Sequence, residues 1–150
     1  MATATSAVNA ALTAIVSAVT ASVNDTSVLI TEGPPTLNQP DDLIVIGERI
    51  NQQYAPHALV GSAGSGFLHE TFQVSIVIDV FRGGDNFTTT RSRCMALSKL
   101  CDDAIRNDPT LAGSVYLAYP SDHSYEQLWE VDSKGTRVKC DMFIHCQAIP

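Results

Sequence analysis

The stretch PSDHSYEQLWEVDSKG, residues 120–135, sets Asp122 ten residues ahead of Asp132-Ser133-Lys134. Carboxylates followed by a lysine are what a metal-dependent nuclease or hydrolase uses: the acids converge on Mg²⁺ and the lysine sits beside the scissile phosphate. The third acid would have to be Glu126 or Glu130, and no spacing compels either. DSKG is also the composition of a tight hairpin turn, Asp opening it and Gly closing it, and the turn is the preferred reading. The four histidines are no richer in chemistry. None lies in an HExxH pattern; His69 and His145 fall on the polar sides of predicted strands, and His57 and His123 in loops. GSAGSG (61–66) has no Gly-Lys-Ser/Thr to cradle a phosphate and precedes a strand rather than opening a helix. There is no GxSxG. Asp41-Asp42 and Asp102-Asp103 read as a strand edge and a solvated helix flank. The expectation is a chain that is not an enzyme, with no catalytic residue, metal site or cofactor.

The four cysteines give the same answer. Cys94 and Cys101 lie seven apart on a predicted helix, Cys140 and Cys146 six apart on a predicted strand. Neither pair can close to the ~4.4–6.8 Å Cα separation of a disulfide, and neither has zinc-site spacing. All four read as reduced, buried, small hydrophobes. The opening MATATSAVNAALTAIVSAVTASVN has no basic start and is too polar for a membrane span, so a cytosolic origin and no membrane partner are expected. One hundred and fifty residues, 45% apolar, suit one domain with a real core. A net charge of −7 with nine Lys+Arg argues against gripping nucleic acid by its phosphates. It is compatible with a surface past which DNA slides.

The elements that would position any site follow from periodicity. Val8, Leu12, Ile15, Val19 and Val23 form one apolar stripe of an amphipathic helix over 3–23. Short strands are predicted at 27–31 (SVLIT) and 41–47 (DDLIVIG), then a long mobile loop, 48–66, ending in its Gly/Ser run. FLHETFQVSIVIDVF (67–81) is the strongest strand: Phe72, Val74, Ile76, Ile78 and Val80 face one way, His69, Thr71, Gln73, Ser75 and Asp79 the other. Asp85 or Asn86 should cap a helix that buries Leu97, Leu100, Cys101, Ala104 and Ile105. Asp108-Pro109 ends it. SVYLAY then opens a strand, and SYEQLWEV and TRVKCDMFIHCQAI form a hairpin around DSKG. The order α-β-β-loop-β-α-β-β-β gives an α+β class: a small mixed, mainly antiparallel sheet packed against two amphipathic helices in a single domain, 1–150. Such a sheet has edges to cover, and a homo-oligomeric ring whose neighbours cover each other is one physical solution.

A strongly alternating strand, a Gly/Asp turn, a helix of about twenty residues ending in DPTLAGSVYLA, and a closing strand VKCDMFIHCQAI make the chain resemble the tail terminator (tail completion) proteins of long-tailed, siphovirus-type bacteriophages. The N-terminal helix and the GPP…DDLIVIG entry suit that family too. The resemblance implies a structural virion protein of the tail and neck, assembled in the bacterial host cytoplasm. It would form a hexameric ring at the head-proximal end of the tail tube, stop tube polymerisation and join the tail to the head connector. Its partners would be copies of itself, the major tail tube protein and the connector or stopper protein, with DNA passing through the lumen unbound. No active residues carry over. By position, the subunit and partner contacts would come from the N-terminal helix and loop 48–66 with its flank, represented by Arg49, Tyr54, His57 and Phe67; Arg91 and Arg93 are candidates for inter-subunit charge pairs, against the preferred reading of an ordinary solvated face. The alternatives are another neck role (head-completion or stopper protein, or a minor tail subunit) and a hydrolase using Asp122, Asp132 and Lys134. Lys134→Ala would abolish only the last.

Overall fold

Strand β3 (Leu68–Gly83) obeys its alternation: Phe72, Val74, Ile76, Ile78 and Val80 are all buried on one face. It is the centre of the sheet, pairing antiparallel with β2 (Asp42–Pro56) on one side and β5 (Gly135–Ala148) on the other. β4 (Leu117–Glu130) runs antiparallel along the far side of β5, and the short β1 (Val28–Glu32) lies parallel to β2. The sheet order is β1-β2-β3-β5-β4. The computed structural model describes residues 6–35, 40–56 and 68–148.

Both helices lie on one face of this sheet. α1 (Val8–Val23) buries Leu12, Ile15, Val19 and Val23 there, each contributing roughly 1.5–3 kcal/mol. α2 (Phe87–Asn107) buries Cys94, Leu97, Cys101, Ala104 and Ile105 against Val138, Cys140, Met142, Ile144 and the β3 row. Ser22 Oγ donates to the Leu100 carbonyl at 2.8 Å and ties the helices together. All four cysteines are free and buried. The architecture is the expected α+β one: a five-stranded, mainly antiparallel sheet with two helices around one core.

Four expectations are corrected. β2 does not stop at residue 47 but continues to Pro56, so residues 48–56 are strand; the rest of the expected loop lies outside the described residues. A bulge between Ile46 and Ile50 hides this in the sequence, because Ile50, Gln52 and Tyr54 resume the alternation only after the register has slipped. SVYLAY and SYEQLWEV are not two strands. They merge into β4 through a second irregularity between Ser121 and His123, where Asp122 takes a left-handed φ of 40°, and His123 is therefore in a strand. Asn86 precedes α2, but its Nδ2 donates to the Gly83 carbonyl (3.1 Å) and makes no capping bond. Asp42 is no solvated edge residue: it is buried and ion-paired.

Candidate functional site

The acid–lysine pattern does not assemble. Asp132 to Lys134 form the turn between β4 and β5, with Lys134 at φ 49°. Asp122 lies eight strand residues before Glu130, about 26 Å away along the strand. Glu130 is held by Arg137 (2.5 Å). Among the described residues no cluster of three or more His, Cys, Asp and Glu could hold a metal ion. The thiols are no nucleophiles: burial pushes Cys94, Cys101 and Cys146 up to about 12.

The residues named for interfaces fall into three groups. Arg49 is exposed on β2; its guanidinium stands over the Phe143 ring at 5.8 Å and its backbone N–H donates to Ser75 Oγ at 2.9 Å. Tyr54 is 49% exposed, and its hydroxyl accepts from Gln52 Nε2 at 2.8 Å. Arg91 donates across to Gln127 Oε1 on β4 at 3.1 Å. Arg93 is spent inside the chain, its Nε on Asp42 Oδ2 and its Nη2 on Asp25 Oδ2, each at 2.9 Å. Arg82 completes the clamp on Asp42 at 2.6 Å. Burial opposes the charge of Asp42, yet the hydrogen bonds from Arg82 and Arg93 hold its carboxyl below the ordinary range. His57 and Phe67 lie outside the described residues.

Sequence reasoning missed a second buried acid, Glu70, at the mouth of α1. Its Oε1 accepts the Ala7 backbone N–H at 2.8 Å, and its Oε2 accepts Ser6 Oγ at 2.5 Å and Gln52 Nε2. Burial raises the cost of this charge, but the bonds from Ser6, Ala7 and Gln52 outweigh it and the carboxyl sits below its usual range. A carboxylate there also meets the positive end of the helix. The signal was available: Glu70 shares parity with Phe72 and Val74, a charge on the apolar side of its strand.

What remains open is surface without chemistry but with shape. Among the described residues, eleven large hydrophobic side chains are exposed, and ten border the two edges of the sheet. Tyr116, Leu117, Tyr119, Tyr125, Leu128, Trp129 and Val131 follow the β4 edge; Leu29, Ile50 and Tyr54 follow the other. An apolar groove of about 730 Å³ also runs between the small face of α1 (Ala10, Ala14, Ala18) and the turn at Leu111–Ser114. In that turn Leu111, Ala112 and Gly113 are consecutively left-handed (φ 47°, 57° and 83°). Phenol and imidazole pairs stand on the sheet face away from the helices: Tyr116 stacks on His69 at 5.7 Å, and Tyr119 tilts over His145 at 5.0 Å.

The chain is thus a small α+β domain whose exposed large hydrophobic side chains, among the described residues, gather along strand edges. The sequence matches no protein-family model and no curated protein. In fold the chain is similar to a chain of a solved structure described as "Virion of native gene transfer agent (GTA) particle". That likeness has a TM-score of 0.50 at 9% identity, and covers 97% of this chain and 100% of that one. No helix among the described residues is long and apolar enough to cross a membrane.

Proposed function

We propose that this chain is a structural subunit of a phage-type virion, and within it the terminator of a long tail. Copies form a ring on the head-proximal end of the tail tube, stop its growth and present a face to the head connector. The observation that carries this reading is the fold likeness over essentially the full length of both chains, 97% and 100%, to a chain of a virion particle. The tail-end role rests on the resemblance in DPTLAGSVYLA and the flanking strands. Two physical features support it. Strand edges with exposed aromatics on both sides of one sheet suit a subunit that needs neighbours on two sides. Five of the nine basic side chains, Arg82, Arg93, Lys99, Arg106 and Arg137, are ion-paired within the chain, and the whole carries −7. A lumen built from such subunits holds DNA phosphates weakly, and the genome passes. Assembly would take place in the host cytoplasm, and neither catalysis nor a cofactor is invoked.

The reading is tested by letting the cognate tail-tube protein polymerise with and without this chain and measuring tube lengths by negative-stain microscopy. Short tubes of uniform width with a ring at one end are expected. Unchanged tube lengths, together with binding to the connector alone, would transfer the chain to the stopper role.

A further inference from the structure

We propose that copies of this chain join edge to edge, Ser124–Trp129 of one pairing antiparallel with Ile50–Ala55 of the next, so that the sheet runs on from subunit to subunit. The inference deepens the ring reading above and rests on its self-association, not on the tail role. An exposed strand edge carries a row of free N–H and C=O groups, and the occupant they fit is another strand. Natural edges are blunted by proline, lysine or bulges. β4 has Pro120 and its bulge in its first half, but Ser124–Glu130 has none of these and exposes Tyr125, Leu128 and Trp129. Across the sheet, β1 pairs with β2 only as far as Ile46, so from Ile50 to Pro56 no described strand covers the outer edge of β2. Both free segments are seven residues long, about 23 Å each.

Their side chains match. Three antiparallel steps separate β2 from β4, so the two run in opposite directions within one subunit. A head-to-tail neighbour that keeps its helices on the same side of the sheet therefore brings them together antiparallel. In that register Ile50 stands opposite Trp129, Gln52 opposite Gln127 and Tyr54 opposite Tyr125, all on the helix side. Both segments read apolar or aromatic, Gln, aromatic at alternate positions. Gln52 is held by Glu70 and Gln127 by Arg91, so each edge presents a glutamine already anchored in its own subunit. One such contact covers on the order of 500 Å² per partner, at the low end for a specific interface. Closing a ring makes every subunit use both edges and doubles that area, which favours closure over open dimers.

The test is a double variant, Gln53→Cys with Glu126→Cys, in the full chain under mild oxidation. Both positions are exposed, on the open face, and directly opposed in the proposed register. Within one copy they are separated by two strands, and Gln53 is in line with Leu117, nine residues before Glu126; the separation is roughly 30 Å, too far for a disulfide, and the native thiols are buried. A ladder of covalent multimers from the double variant and none from either single variant is the expected result. Trp129→Ser should independently weaken self-association by about tenfold or more, measured by sedimentation. No ladder, or a dimer from Glu126→Cys alone, which would mean β4 pairing with β4, overturns the proposal. Linked multimers that leave tubes uncapped would keep the edge pairing and remove the tail role; unlinked protein that still caps tubes would do the reverse.

Discussion

Glu70 and Asp42 each lie buried with their charge, and each is satisfied by groups from distant parts of the chain: Ser6 and Ala7 for the first, Arg82 and Arg93 for the second. Glu70 fixes the start of α1 onto the β2–β3 pair. Glu70→Gln keeps the shape but loses the charge, and should destabilise the fold by about 2 kcal/mol at neutral pH in chemical denaturation. The effect has a direction in pH. Because the folded carboxyl sits below its unfolded value of about 4.3, its contribution is complete above roughly pH 5 and is lost as pH falls through the folded value. The gap between wild type and Glu70→Gln should therefore narrow as the solution is acidified; a gap that stays constant as pH falls would contradict this. The thiols give a second prediction. With burial pushing Cys94, Cys101 and Cys146 up to about 12, the native protein should resist alkylation by iodoacetamide at pH 8 and take up label on all four cysteines only once unfolded, as read by mass spectrometry.

At the scale of elements, the sequence was legible wherever the period ran unbroken. β3 and β5 alternate over their whole length, α1 and α2 keep their stripes, and Asp108-Pro109 ends α2 where expected. It was illegible at the bulges. Gly47, at φ 80°, lies within the irregularity where two extra residues interrupt β2 without changing its phase, whereas the one extra residue at Asp122 reverses the phase of β4. Period-two reasoning stops at such slips, which is why the second half of β2 reads as a loop and β4 reads as two strands. Of the interface candidates, Tyr54 lies on β2 and Arg91 bonds to Gln127 on β4, while Arg93 is satisfied by acids 51 and 68 residues away, a distance no local pattern reports. The β4–β5 turn carries its own prediction. A Cβ on Gly135 would lie 2.6 Å from the Arg82 carbonyl and 2.4 Å from the Phe81 ring. Gly135→Ala should cost about 1–3 kcal/mol by overpacking, measured by thermal unfolding; an unchanged midpoint would show that the hairpin gives way without strain.

At the scale of the whole molecule, one sheet has a helical layer on one side and two edges that no described strand covers, with exposed large hydrophobic side chains gathered along those edges and only Met95 elsewhere among the described residues. A monomer gains nothing from that distribution, whereas a subunit with a neighbour on either side buries it. The −7 charge and the internal pairing of five basic groups leave little to bind phosphate. The most direct measurement is the mass of the purified chain by light scattering, alone and after mixing with its tail-tube protein. The account predicts a closed multimer of 16.1 kDa subunits, either in isolation or seated on the end of shortened tubes. A chain that stays monomeric in both samples while the tubes grow unchecked would contradict it.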